Sequence, residues 1–174
     1  ADLVRRSDRA GPRYTSYPTA VQFTDKFGLN EYRAAAMASN QDPIPRPLSL
    51  YVHIPFCSSP CFYCGCTKVI TRNHEKAEAY LYRLHREIEL QSQLYDRDRE
   101  VEQLHFGGGT PTFLTSLEID RLIEKLGSHF KLSSDPGREY SIELDPRTIT
   151  SDTLRDLAHV GFNRCSLGIQ DFDP

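Results

Sequence analysis

Four of the five cysteines in this chain, Cys57, Cys61, Cys64 and Cys66, fall within the single segment CSSPCFYCGC. Thiolates separated by three, two and one residues can be turned toward one point by a tight loop, which suits a soft metal or an iron-sulfur cluster. Zinc is the plainer alternative. A structural zinc site usually takes two ligand pairs with a longer spacer, so that two chain segments are tied together, and no second pair follows here. Redox-active thiols are a third reading, whereas a disulfide framework would scatter its cysteines and use an even number. Cys165 lies in the apolar run CSLGI and reads as a small core residue rather than a ligand.

The elements around this loop alternate between two periodicities. LSLYVHI (48–54) reads as a buried strand running directly into the cysteines, and VEQLHF (101–106), EYSIEL (139–144) and CSLGI (165–169) read as three more. Between them, Ala77, Leu81, Leu84 and Ile88 recur at helical spacing after a candidate N-cap at Asn73, with Glu75 and Glu78 in the first turn. Thr115 and Glu118 form a capping box ahead of Ile119, Leu122, Ile123, Leu126 and Phe130. Ser151 is the expected cap of a helix carrying Leu154, Leu157 and Ala158 and ending at Gly161. Strands alternating with helices make right-handed crossovers and a parallel sheet, either open and doubly wound or part of an α/β barrel. Residues 1–47, rich in Pro, Arg and polar types with a short helical stretch near Tyr32 to Ala38, read as an N-terminal arm.

In such sheets ligands bind at the carboxyl ends of the strands. The first strand ends at the cysteine loop. The second ends at Gly107-Gly108-Gly109-Thr110-Pro111, where missing Cβ atoms let a ligand approach the main chain. The third ends at Glu143 and Asp145, followed by Arg147, and the fourth at Gln170 and Asp171. Tyr51 and His53 share one side of the first strand. Each feature alone has an ordinary structural explanation; their gathering on one rim beside a metal loop makes a site the better reading.

The 21 basic and 24 acidic side chains leave a formal charge of −3, so nothing draws the whole chain to nucleic acid or anionic lipid. No apolar run is long enough for a membrane span and the first residues carry no signal-peptide core, so a cytoplasmic protein is expected.

At Cys57-x3-Cys61-x2-Cys64, behind a strand and ahead of a βα repeat, the chain resembles the radical SAM family. YVHIPFC, the additional Cys66, HFGGGTPT, IELDPRT, LGIQDF and the leading PRYTSYPT resemble, more narrowly, the oxygen-independent coproporphyrinogen III oxidases within it. The resemblance implies a partial (β/α) barrel, with an arm over 1–47 and about four βα units over 48–174, the chain being the N-terminal part of a longer enzyme. It implies a 4Fe-4S cluster on Cys57, Cys61 and Cys64, its fourth iron open to S-adenosylmethionine. Tyr51, Gly108 and Glu143 would then lie along a first S-adenosylmethionine, and Tyr63, Gly109, Thr110 and Gln170 would face a second. Cys66 would line the cavity without ligating iron, and Tyr51, His53 and Cys66 would stand near the radical. The implied partners are a porphyrinogen, an external electron donor and the rest of the same protein. A related haem chaperone without oxidase activity and a zinc-binding interaction module are the competing readings.

Overall fold

The computed structural model describes residues 20–61 and 65–168. Strands β1 (Leu48–Ile54), β4 (Glu100–Gly108), β6 (Glu139–Leu144) and β7 (Arg164–Leu167) form a parallel sheet in that spatial order. Helices α2 (Glu75–Ser92), α3 (Ser116–His129) and α4 (Ser151–His159) connect them, after α1 (Leu29–Ala38) in the N-terminal region. Spatial order follows chain order without reversal, which is how a barrel wall grows; a doubly wound sheet would turn back at a switch point. Short strand β5 (Lys131–Leu132) adds to β4, and β2 (Phe56–Cys57) pairs in parallel with β3 (Val69–Ile70).

Alternation along the strands sorts the two faces. Val52, Ile54, Leu104, Phe106, Ile142 and Leu144 are buried, as are Ala77, Leu84, Ile88, Ile119, Leu122, Leu126 and Leu157 on the helices, and together they form one core. Each such fully buried large side chain contributes about 1.5–3 kcal/mol over its exposed state. The opposite face is polar. Register sets Tyr51 beside His105, His105 beside Ser141 and Ser141 beside Arg164, one step below His53 and Gly107.

The helix ends explain their positions. Thr115 accepts from the Glu118 amide while the Glu118 carboxylate accepts from the Thr115 amide at 2.8 Å, as the capping box predicts. Asn73 accepts from the Glu75 amide at 2.9 Å, although the N-cap position itself belongs to His74. The cap of α4 is Thr150, not Ser151: the Thr150 hydroxyl accepts from the Thr153 amide, and Ser151 is the first helical residue. Gly161, at φ +107°, ends that helix in the left-handed conformation that glycine favours.

Cys165 is a correction. It is exposed rather than part of the core. It pairs with buried Ile142, but β7 is the last described strand and none of its four residues is buried. In the N-terminal region, α1 and its exit are tied to the sheet's lower end, where Arg99 donates to Ser39 Oγ and Asn40 Oδ1, each at 2.8 Å. Among the described residues no helix is long and apolar enough to cross a membrane.

Candidate active site

The cysteine loop is closed at its base by the short β2–β3 ladder. Val69 N–H donates to the Pro55 carbonyl at 2.7 Å and Thr71 N–H to the Cys57 carbonyl at 2.9 Å, so both ends of 58–68 are held together. The glycine run docks against the same base. Gly109 N–H donates to the Ile54 carbonyl and Thr110 N–H to the Phe56 carbonyl, both at 2.8 Å. A Cβ on Gly109 would stand 2.7 Å from the Phe56 oxygen, so only glycine permits this approach. It places the Thr110 hydroxyl 3.8 Å from Cys57 Sγ, within reach of a hydrogen bond to sulfur.

A polar chain crosses the face of β1. The Tyr51 phenol is 3.2 Å from His53 Nδ1, and His53 Nε2 is 3.0 Å from the Thr67 carbonyl in the cysteine loop. A carbonyl only accepts, so Nε2 carries the proton and Nδ1 accepts from the phenol. Tyr80 donates its hydroxyl to the His53 carbonyl from behind. The Tyr51 phenol is raised above its ordinary 10.0, first by burial and then by the negative charge of Glu143 and of Cys66. It therefore remains a proton donor across the whole neutral range.

Glu143, at the end of β6, accepts from the Gly108 amide at 3.0 Å. Gly108 has φ +115°, and a Cβ there would lie 2.6 Å from the His53 ring. The sheet therefore brings together Tyr51, His53, Gly108 and Glu143, beside the loop of Cys57, Cys61 and Cys66. Tyr63, Cys64 and Gln170 lie outside the described residues. Among those described, no three His, Cys, Asp or Glu side chains are grouped as a metal site. Past Glu143, Arg147 donates to Asp145 through Nε at 2.9 Å and Nη2 at 2.7 Å. These bonds hold the Asp145 carboxyl below its ordinary 3.8, despite partial burial. The same Asp145 hydrogen bonds are the first cause that raises Arg147, and a smaller contribution from Cys61 is the last. A hydroxyl directed at Cys57 suits an electron-rich sulfur ligand, and thiolate donors fit an iron-sulfur cluster.

One contributor, the first residue of the HFGGGTPT run, was not among the expected site residues. His105 sits 5.6 Å from the Tyr51 ring at an interplanar angle of 17°, and touches both Ser141 and Glu143. Its position two residues before Gly107, on the same strand face, is the signal that could have marked it.

The family model of the radical SAM superfamily matches residues 51–174. The chain belongs to the radical SAM superfamily. It is 51% identical over 173 residues to the oxygen-independent coproporphyrinogen III oxidase of Pseudomonas aeruginosa, covering 99% of this chain and 37% of that protein. With the Escherichia coli protein of the same name it shares 47% over 171 residues, 98% of this chain and 36% of that one. The solved coproporphyrinogen III oxidase of Escherichia coli, described as a radical SAM enzyme, superposes with a TM-score of 0.83 at 47% identity, over 92% of this chain and 36% of that one. This radical SAM chain thus spans little more than a third of the length of these relatives. Membership implies a 4Fe-4S cluster and S-adenosylmethionine.

Proposed function

We propose that this chain forms the cofactor-binding part of an enzyme that converts coproporphyrinogen III to protoporphyrinogen IX without oxygen, in the cytoplasm. The observation that carries this reading is the rim itself: Tyr51, His53, Gly108 and Glu143 converge at strand ends beside the base of the cysteine loop. The close identity to enzymes of that name supports it.

In this reading Cys57, Cys61 and Cys64 hold the cluster. Tyr51, Gly108 and Glu143 bind a first S-adenosylmethionine, and Tyr63, Gly109, Thr110 and Gln170 a second. The chemistry supplied by the bound group is one-electron cleavage of S-adenosylmethionine, whose radical product starts the oxidative decarboxylation of two propionate side chains to vinyls. The protein's part is placement. Gly108 leaves room at the main chain, Glu143 offers an acceptor to an ammonium group, and Tyr51 offers its phenol oxygen as a second acceptor. His53 fixes that oxygen's direction by accepting a hydrogen bond from the phenol. Cys66 lines the cavity, and its charge adds to the rise of the Tyr51 phenol. The porphyrinogen, an external electron donor and the additional length of chain that the longer relatives possess complete the system.

The test is anaerobic reconstitution of the protein at the length of its relatives, with a reductant, S-adenosylmethionine and coproporphyrinogen III. Protoporphyrinogen IX should form, and Cys61→Ser should remove both cluster and turnover. Haem transfer without oxidation would favour the chaperone reading, and stoichiometric zinc in place of iron an interaction module.

A further inference from the structure

We infer that His105 is a positioning residue that sets the orientation of Glu143 and Tyr51, an assignment that rests on the proposed S-adenosylmethionine site. Its imidazole touches three groups at once. Nε2 is 3.3 Å from Glu143 Oε1, Nδ1 is 2.6 Å from Ser141 Oγ, and the ring stacks on Tyr51. An ionised carboxylate only accepts, so Nε2 carries a proton and donates to Glu143. In the neutral imidazole Nδ1 then accepts from the Ser141 hydroxyl, which fixes both tautomer and ring plane.

Glu143 is thus held from two sides, its Oε2 accepting from Gly108 N–H at 3.0 Å and its Oε1 from His105. Gly107 supplies independent support. A Cβ there would stand 2.9 Å from His105 Nε2, 3.0 Å from Glu143 Cδ and 3.0 Å from Tyr51 Cε2, so the three side chains close over a space that only glycine leaves open. Strand register makes this arrangement: Tyr51, His105 and Ser141 are consecutive neighbours across three strands. His105 itself need not touch the ligand. It fixes an acceptor and a phenol that do.

The experiment compares His105→Phe, which keeps a flat ring for Tyr51 but no donor, with His105→Gln, which keeps a donor, and with His105→Ala. The protein, at the length of its relatives, is reconstituted anaerobically. Each variant is measured for iron and sulfide content, thermal midpoint, KM for S-adenosylmethionine, and the change that S-adenosylmethionine makes in the electron paramagnetic resonance of the reduced cluster. His105→Phe and His105→Ala should keep wild-type iron but raise KM roughly tenfold, the scale of losing one hydrogen bond to a charged group, with a smaller effect on kcat. Their spectral change should be broadened, and His105→Gln should recover most of the affinity. Wild-type KM and spectra in His105→Phe and His105→Ala would overturn the inference while leaving the site reading intact. Equal loss of iron in all three variants would mark a structural role and overturn it too. A wild-type cluster indifferent to S-adenosylmethionine would instead remove the site reading, and this assignment with it.

Discussion

At the scale of single residues, the rim depends on where Cβ atoms are missing. Gly108 combines φ +115° with a space already filled by the His53 ring. Gly108→Ala should therefore cost about 1–3 kcal/mol of stability, from backbone strain plus displacement of His53. Gly109→Ala meets main-chain oxygens of Pro55 and Phe56, which cannot rotate away, so it should separate the glycine run from the cysteine loop. Cluster retention should fall with stability in that variant. Gly65 supplies the contrast, because a Cβ there meets nothing within 4 Å among the described residues. Gly65→Ala should stay within about 0.5 kcal/mol of wild type. Thermal denaturation of the three alanine variants checks the ranking, and a Gly109→Ala protein as stable as Gly65→Ala would contradict the docking described above.

At the scale of elements, the capping box of α3 does two jobs, because Glu118 also pairs with His74 at 2.9 Å and so joins the starts of α2 and α3. Burial pushes the Glu118 carboxyl up, but hydrogen bonds from the Thr115 amide and hydroxyl and from His74 outweigh it and bring it below its ordinary 4.5. The unfolded chain takes up its proton near 4.5 while the folded one resists. The stabilisation is therefore fully present above that pH and is lost as pH falls through the lowered folded value. Thr115→Ala should cost about 1 kcal/mol at neutral pH, and Glu118→Gln a similar or smaller amount. In acid titrations of stability, the gap between wild type and Glu118→Gln should close as pH falls from the ordinary 4.5 through the lowered folded value; a constant gap would mean that Glu118's charge contributes nothing. This box was legible in the sequence because capping is local, as were the boundaries of β1 and β6, whose residues follow a simple alternation. Local signals erred by one position at Thr150 and Ser151, where two hydroxyl residues stand side by side. They failed for Cys165, because an apolar strand pattern does not say that the strand is the last of the described sheet, with its residues exposed. His105 stood in the HFGGGTPT run but its role was not legible, for a related reason: its partners Tyr51, Ser141 and Glu143 are set by register between strands, and register is a property of the assembled sheet.

At the scale of the whole molecule, the sheet's inner face sets this protein apart from a barrel packed with aliphatic layers. Tyr51, His105, Ser141 and Arg164 form a polar row across it, a surface that suits water or a polar ligand and not an aliphatic layer. The same sheet ends at β7, which pairs with β6 alone among the described strands and leaves Leu167 half exposed. An unpaired parallel strand offers a row of main-chain donors and acceptors to any similar edge. A protein of these 174 residues should therefore self-associate in sedimentation experiments at concentrations where a chain of its relatives' length stays dispersed. Leu167→Lys places a charge on that edge and should return the shorter chain to a monomer without changing its melting behaviour, since the side chain takes no part in the buried core. If the 174-residue protein sediments as a monomer at every concentration, or if Leu167→Lys leaves its association unchanged, β7 is not the sticky edge and another surface must close the sheet.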